Sequence, residues 1–438
     1  MRGVAIVFFF LAAAASAATI TIPDIPLRHR TLANGLQVYS VEDHSAPTVA
    51  IQVWYHVGSK DDPSGRSGFA HLFEHMMFKS TAHMKSEMMD RLTEDVGGYN
   101  NASTANDATW YYEEVPSNYL QTLLWAEADR MGSLNVDEAN FKSEREVVKE
   151  EFRTSVLAPP YGLFAYSIEK DSFVVHPYHR PTIGSIEDLD SATLADVQKF
   201  HATYYRPDNA TLIVAGDFDP QQLDAWIDKY LGAVPKPDAP LPRVTVEEPP
   251  RAESKTVTET GPNVPLPAVA ITWLAPKAAS PDRYALDVAA AILAQGESSR
   301  LYQSLVYRQQ IAQDVGAEAD LREGAGIYVI NATVASGKTI DEVKKAIDAE
   351  LRAIAEKPVS GAELEKAKNQ LITDQLRRRE TNDGKALAIG YDATVLHDAS
   401  EVNNGLKRLQ AVTAADVKRV MDEYIRNGKS LTINYVSK

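Results

Sequence analysis

Hydrophobic and polar residues follow two different periods along the chain, one typical of strands and one typical of helices. The strand-like runs are residues 36–43, 48–57, 210–218, 268–275 and 326–335. The helical period covers residues 67–79, 84–96, 117–133, 138–156, 283–294, 340–356 and 361–379. Because strands and helices are mixed in both halves, the pattern predicts an α+β fold in which each half is a sheet backed by helices.

A weak internal repeat divides the chain into two parts. The segments "LADVQKFHATYYRPDNATLIV", from Leu194, and "AADVKRVMDEYIRNGKSLTIN", from Ala414, share six residues at a constant offset of 220. Thr193 and Thr413 occupy equivalent helix N-cap positions. Two unrelated helix–strand units are the alternative, but each copy lies near the end of its half, which favours duplication. Residues 234–254, rich in proline and charge, are predicted to be a linker between domains at 18–233 and 255–438.

The N-terminus has the composition of a secretory signal peptide. Arg2 precedes an apolar run at residues 4–15, and "ASA" ends at residue 17, so residues 1–17 are predicted to be removed on export to the periplasm. An uncleaved membrane anchor is the alternative, although the apolar run is short for one. The 438 residues carry a net charge of −15, which argues against nucleic acid as a partner. Cysteine is absent, which excludes thiolate chemistry and cysteine-bound zinc.

The run "GFAHLFEHMMF", residues 68–78, places three polar side chains in an apolar helix. Relative to His71, Glu74 lies at about −60° and His75 at about +40° around the helix axis, so the three share one face. A buried polar cluster is unfavourable unless something satisfies it. Histidines at i and i+4 can bind one metal ion, and H-x-x-E-H is the inverse of a known zinc-binding motif. Two core histidines with an unrelated glutamate are the alternative.

A catalytic zinc ion usually takes three protein ligands. The helical pattern of residues 140–156 has an apolar stripe that consists of Phe141, Val148 and Phe152. Glu144 and Glu151 lie at the edge of this stripe, whereas Glu146 and Glu150 lie on the opposite side. Glu151 is therefore the candidate third ligand, and Glu144 is a candidate to orient a histidine ligand or the water at the metal. A partly buried salt bridge is the alternative for either glutamate.

These motifs resemble those of the inverzincin metallopeptidases, the family of pitrilysin, insulysin and the mitochondrial processing peptidase. The resemblance is carried by residues 68–78, "NNAST" at 100–104, "EREVVKEE" at 144–151, "HPYHRPTIGS" at 176–185 and "YYRPDNATLIVAGDF" at 204–218. The family's third ligand lies 76 residues beyond the second histidine, which matches Glu151, and its auxiliary glutamate matches Glu144.

The resemblance implies a zinc-dependent endopeptidase that hydrolyses extended or unfolded peptides. One Zn²⁺ would be bound by His71, His75 and Glu151, and Glu74 would be the general base. Two tandem homologous domains would face each other as a half-clamshell, the second without metal ligands. Residues 99–115 read as one strand, and the resemblance places Asn101–Ser103, with Ala102 between them, on an edge strand to which the substrate adds.

One departure from the family pattern concerns the second half. Family members carry an Arg and a Tyr seven residues apart after the "SSRL" turn, which is present here at residues 298–301. Aligned on Leu305 and Ile311, these positions hold Val306 and Gln313, and Arg308 is out of register. We therefore expect a related partner subunit that supplies the Arg and Tyr in a heterodimer. A non-catalytic scaffold and a peptide-binding clamshell subunit are the alternatives.

The remaining histidines offer weaker signals. His176 and His179 form H-x-x-H, but Pro177 between them favours a structural turn. Four more are expected to stand alone as packing or surface residues; they are His56, His83, His201 and His397.

Overall fold

The computed structural model describes residues 20–438 and contains two sheets. The strands of the first are β1 (Arg28–Thr31), β2 (Gln37–Glu42), β3 (Thr48–Tyr55), β4 (Tyr99–Thr104), β5 (Thr109–Pro116) and β6 (Ala210–Gly216). Their order is β1-β2-β6-β3-β5-β4, and only the β2–β6 pair is parallel. The predicted signal peptide lies outside the described residues. No helix among residues 20–438 is long and apolar enough to cross a membrane.

The second sheet repeats the topology of the first. Its strands are β7 (Lys255–Gly261), β8 (Ala268–Ala275), β9 (Ala312–Leu321), β10 (Gly326–Val334) and β11 (Ser430–Ser437). The order β7-β11-β8-β10-β9 corresponds to β2-β6-β3-β5-β4, and again one pair, β7–β11, is parallel. The predicted α+β fold with two sheets backed by helices is confirmed.

Fourteen helices surround the two sheets in the described part of the chain. Those of the first half are α1 (Phe69–Met76), α2 (Met88–Glu94), α3 (Leu120–Ser133), α4 (Glu138–Phe152), α5 (Gly162–Ser172), α6 (Ile186–Ser191), α7 (Leu194–Tyr204) and α8 (Pro220–Tyr230). Those of the second are α9 (Arg283–Ala294), α10 (Ile340–Glu356), α11 (Gly361–Arg378), α12 (Asn382–Thr394), α13 (Glu401–Ala411) and α14 (Ala414–Val420).

The two copies of the sequence repeat begin with the same helix cap. The Thr193 side chain accepts a hydrogen bond from the Asp196 N–H, and the Asp196 carboxylate accepts one from the Thr193 N–H. Thr413 and Asp416 make the same pair of bonds at the start of α14. This reciprocal arrangement satisfies N–H groups that a helix terminus leaves open. The predicted N-caps are therefore present, and a strand follows each helix as the repeat indicated.

Two helices are exchanged between the halves. Helix α12 belongs to the second half, but its Ala386 and Ile389 are buried against Trp54 and Ile213 of the first sheet. Helix α5 belongs to the first half, and its Phe164 is buried against the second sheet in a cluster with Ala268, Ala270 and Ile433. The start of α12 follows the start of α5 by 220 residues, the same offset as the repeat. The exchange is therefore part of the duplicated unit.

Residues 99–115 form two strands, so the prediction of one strand there is wrong. The chain reverses between β4 and β5, and the Ala105 N–H donates to the Ala108 carbonyl oxygen at 2.8 Å. Asn106 and Asp107 occupy this turn, and both residue types favour turns because their side chains bond to nearby groups. Asp107 also accepts hydrogen bonds from Lys60 and Tyr178, which keep the turn inside the protein.

Residues 234–254 form neither helix nor strand, as the composition predicted. Polar side chains fix this segment to both halves. Arg243 donates to the His56 carbonyl oxygen at 3.0 Å, and Arg251 donates to the Thr272 carbonyl oxygen. The Glu248 carboxylate accepts three consecutive N–H groups, from residues 174–176. The connection between the halves is therefore held in place along its length.

The packing of α12 against the first sheet yields a testable prediction. Ile389→Ala should lower the free energy of unfolding by about 2–5 kcal/mol, because it leaves a cavity between the exchanged helix and the sheet. Val174, which is 75% exposed, provides the control, and Val174→Ala should change stability by less than about 0.5 kcal/mol. Urea unfolding of both variants measures the difference. Equal effects would contradict the role given to α12.

Candidate metal centre

Helix α1 is short and is held by contacts at its start. The Asp62 carboxylate accepts hydrogen bonds from the N–H groups of Gly68 (2.6 Å) and Ala70 (2.9 Å), in the first turn of the helix. Gly68 has a φ of 94°, a conformation that favours glycine, and a Cβ there would lie 3.0 Å from the Ile183 carbonyl oxygen. Burial raises the pKa of Asp62 to about 7, against the effect of the two N–H donors. These contacts fix the orientation of α1.

The structure places the three polar side chains of α1 on one face, as predicted. The Nε2 atom of His71 lies 3.6 Å from Glu151 Oε2, and the Nε2 atom of His75 lies 3.3 Å from the same oxygen. The two imidazole rings are almost perpendicular, with their centroids 5.0 Å apart. One ligand atom from each of His71, His75 and Glu151 lies within 4.8 Å of the other two. Glu151 follows His75 by 76 positions along the chain, yet it forms one cluster in space with the two histidines.

Helix α4 sorts its glutamates as the helical period predicted. The side chain of Glu144 is only 6% exposed, whereas that of Glu146 is 55% exposed. Glu144 Oε1 lies 2.9 Å from Lys79 Nζ, and Oε2 lies 3.9 Å from His75 Nδ1. The salt bridge that was the alternative for Glu144 is therefore present, and the same carboxylate also faces a histidine of the cluster.

Burial and neighbouring charges shift the pKa values of the cluster. Burial, together with the neighbouring His75, lowers the pKa of His71 to about 4. The hydrogen bond from His75 lowers the pKa of Glu151, although burial acts in the opposite direction. Burial raises the pKa of Glu74, partly offset by the charge of His75. At neutral pH the His71 ring is therefore neutral and the Glu151 carboxylate is ionised, the forms in which both bind metals. Although burial acts to lower it, the hydrogen bond and the charge of Glu151 raise the pKa of His75, so metal binding at His75 competes with a proton.

The donor set fits a divalent zinc-type ion. Two imidazole nitrogens and one carboxylate oxygen are the three-ligand set of many catalytic zinc sites. His71 Nδ1 is buried and has no hydrogen-bond partner among residues 20–438. Without an ion, the buried His71 ring makes only a 3.6 Å contact to Glu151 and an edge contact to His75, which is little compensation for its burial. The residues that could hold a metal here are His71, His75 and Glu151.

Strand β4 lies beside this cluster and is the edge of the first sheet. It pairs with β5 on one side and has no strand on the other among the described residues. Asn101 is exposed, Ala102 is buried and Ser103 is intermediate. The Ala102 N–H donates to the Asn101 side-chain oxygen at 2.8 Å. The backbone of this edge is therefore open for pairing, except where Asn101 covers it.

Two further histidines form a cluster that sequence analysis missed. The prediction that His56 and His397 stand alone is wrong, since both contact Glu323. The three residues come from distant parts of the chain and show no common period, so local pattern gave no signal.

The other histidines have structural surroundings. His176 Nδ1 accepts the Tyr178 N–H, and His179 Nδ1 bonds to the His176 carbonyl oxygen, so this pair shapes a turn. His201 is half-buried beside Phe73 and Tyr205. His83 is on the surface and bonds to Asp129.

The segment after the "SSRL" turn forms a π-helical turn at Tyr302–Arg308 and then enters β9. Val306 is partly buried against the core of the second half, and Gln313 is exposed. Arg308 lies 3.9 Å from Glu350 on α10. No arginine–tyrosine pair occupies the two aligned positions, as the alignment indicated.

Comparison with known proteins identifies the family. Residues 37–184 match "Insulinase (Peptidase family M16)", and residues 191–371 match "Peptidase M16 inactive domain". The zinc protease PqqE of Helicobacter pylori is 31% identical over 405 residues, which cover 92% of this chain and 91% of that protein. The chain therefore belongs to the M16 family of peptidases, the inverzincin family that the motifs resemble.

Two other relatives agree with this assignment. The crystal structure of a protease from Helicobacter pylori superposes with a TM-score of 0.89 at 30% identity and covers 94% of this chain and 99% of that chain. The probable mitochondrial-processing peptidase subunit beta of Arabidopsis thaliana is 26% identical over 406 residues, which cover 91% of this chain and 76% of that protein. The similarity thus extends over both sheets.

The cap on α1 yields a prediction about stability. Asp62→Ala should lower the free energy of unfolding by about 1–3 kcal/mol, because two buried N–H groups lose their acceptor. Asp95→Ala is the control, since that carboxylate is 63% exposed and lies 3.6 Å from Arg91. We expect less than about 0.5 kcal/mol for the control. Urea unfolding at pH 8 measures both, and an Asp62→Ala effect no larger than the control would contradict the capping role.

Proposed function

We propose that the chain is an exported zinc-dependent endopeptidase, built from two duplicated domains joined by residues 234–254. The observation that carries this proposal is the convergence of His71, His75 and Glu151, with Glu74 on the same face of α1. Two imidazole ligands and one carboxylate ligand, with a second carboxyl group beside them, are the components of metal-assisted hydrolysis. The proposal agrees with the zinc protease among the relatives of this chain.

Zinc held by these three residues would supply a Lewis acid that polarises a peptide carbonyl group and makes water acidic. Glu74 accepts a proton from the attacking water at its carboxylate and delivers it to the nitrogen of the leaving amine. The raised pKa of Glu74 suits this double role, because the group must hold the proton between the two steps. Glu144 is a positioning residue, since its carboxylate lies 3.9 Å from the outer nitrogen of His75.

The substrate is an extended peptide that pairs with β4. Residues Asn101, Ala102 and Ser103 would form backbone hydrogen bonds to it, with the Asn101 side chain moving off the Ala102 N–H. Backbone pairing of this kind selects for extended conformation and discriminates only weakly among side chains. We therefore infer unfolded or flexible segments as the substrate class.

A related partner subunit completes the enzyme. This chain has Val306 and Gln313 where the family pattern has its Arg and Tyr, so another chain must supply the pair that grips the substrate. Exposed apolar side chains lie close to the site along the sequence, at Val147 on α4 and Tyr99 at the start of β4. Exposed apolar groups near a site suit an interface with a second protein. One relative, from Arabidopsis thaliana, is itself named as a subunit.

A non-catalytic scaffold or peptide-binding subunit is the second candidate. The match of residues 191–371 to an inactive peptidase domain and the missing Arg–Tyr pair favour it. The assembled His71, Glu74, His75 and Glu151 argue against it, because a scaffold has no need of three metal ligands and a general base.

The role of Glu74 can be tested by a conservative substitution. Glu74→Gln should lower peptide hydrolysis by at least about 10³-fold while zinc content equals that of the wild type, because the ligands remain and the proton acceptor is lost. Elemental analysis and hydrolysis of a quenched fluorescent peptide, with the partner present, give the two measurements. Glu146→Gln, on the solvent side of α4, is the control and should keep wild-type activity. Wild-type hydrolysis by Glu74→Gln would remove Glu74 from the mechanism.

The partner is tested by comparing the purified chain with the two-chain complex. We expect the chain alone to hydrolyse peptides at least about 10²-fold more slowly, because positioning of the substrate is incomplete. Addition of a related chain that carries the Arg–Tyr pair should restore the rate. Full activity of the chain alone would rule out the two-subunit arrangement, and zinc binding without hydrolysis in either state would favour the scaffold.

A further inference from the structure

A second cluster of metal-binding side chains joins the two halves of the molecule. His56 follows β3 in the first half, Glu323 lies in the turn between β9 and β10, and His397 lies between α12 and α13. His56 Nε2 is 2.7 Å from Glu323 Oε2, and His397 Nε2 is 2.9 Å from Glu323 Oε1. One ligand atom from each residue lies within 4.8 Å of the other two. This is the same donor set as at the first centre, but from three separate segments.

We propose that His56, Glu323 and His397 form a second, structural zinc site that links the two halves. Two imidazole nitrogens and a carboxylate oxygen suit Zn²⁺, and water can occupy the fourth position. Both histidines already present Nε2 to the same carboxylate, the arrangement in which one ion could be bound by all three residues. The site goes beyond the proposed peptidase function and does not depend on it.

The surroundings give an ion room and access. A cavity of about 330 Å³ adjoins the cluster and is lined by His56, Lys60, Arg243, Val244, Glu323 and His397. The side chain of His397 is 55% exposed, whereas that of His56 is largely buried. An ion would therefore meet His397 at the surface first and be bound by the two inner residues.

The backbone of His397 supports a specific role for its side chain. Its φ is 55°, in the left-handed region, which a residue with a side chain seldom adopts. Strained positions of this kind are enriched where a structure holds a side chain for a purpose. Here the strained loop directs the imidazole at a glutamate of a different segment.

Two cations near the cluster limit its affinity for zinc. Lys60 contacts Glu323, but its Nζ also lies 2.9 Å from Asp107 Oδ1, so Lys60 keeps a carboxylate partner when Glu323 binds the ion. Arg243 is engaged by the His56 carbonyl oxygen and by Asn209 Oδ1, at 3.0 and 2.7 Å. Because like charges repel at short range, we expect weaker zinc binding here than at the first centre.

The experiment separates the two centres by substitution. The exported form of the chain with His71→Ala and His75→Ala, stripped of metal by a chelator, is titrated with zinc alone. We expect one zinc per chain and a rise of the unfolding temperature of about 2 °C or more at saturating zinc. Adding His397→Ala to this variant should abolish both effects. Adding His83→Ala, which removes a surface histidine paired with Asp129, should leave both unchanged.

The unsubstituted chain gives a second test that does not require the double variant to fold. It should bind two zinc ions, and His397→Ala alone should reduce this to one. A single zinc, lost with His71→Ala and His75→Ala but kept with His397→Ala, would overturn the second site and leave the peptidase proposal intact. A single zinc that is lost with His397→Ala but kept with His71→Ala and His75→Ala would support the second site and overturn the first.

Discussion

The central strands of each sheet are buried on both faces, so each sheet must be covered on two sides. Every residue of β6 is buried, and β3 is buried from Val49 onwards, so one layer of helices cannot shield the first sheet. Helices of the same half cover one face, and α12 from the other half covers the second. Since α5 does the same for the second sheet, neither half can bury its own core alone. The exchange, more than the linker, therefore sets how the halves lie against each other.

The two duplicated halves share the same fold, but only the first half has the three candidate metal ligands. At the offset of 220 residues, His71, His75 and Glu151 correspond to Ala291, Gln295 and Leu371. The strand order and the capped helix before the last strand are nevertheless the same in both halves. A sheet-and-helix unit is thus maintained by apolar packing and capping, whereas a site needs only a few side chains on it.

Sequence analysis could predict the features that depend on the residue pattern of a single helix or strand. Glu151 and Glu144 could be selected because an apolar stripe fixes the phase of α4, and that phase says which carboxylates face inward. Sequence analysis failed where the role of a residue depends on contacts with segments far away in the sequence. His56 and Glu323 are 267 residues apart and have no periodic neighbours that would relate them. The packing of α12 on the first sheet could not be predicted either. Its Gly390 leaves room for the Trp54 ring, a contact between residues far apart in the sequence.

The hydrogen bond between Asn101 and Ala102 bears on how the protein avoids pairing with itself. An uncovered sheet margin can recruit a strand from any neighbouring molecule and so start ordered aggregation. In this molecule the side-chain oxygen of Asn101 accepts a hydrogen bond from the Ala102 N–H on that edge, so an incoming strand must displace the side chain. A brief, poorly matched encounter forms too few bonds to do so, whereas a long segment aligned with β4 forms several at once. The Asn101 side chain thereby disfavours short-lived pairing of β4 with a neighbouring molecule but permits pairing with a long aligned segment.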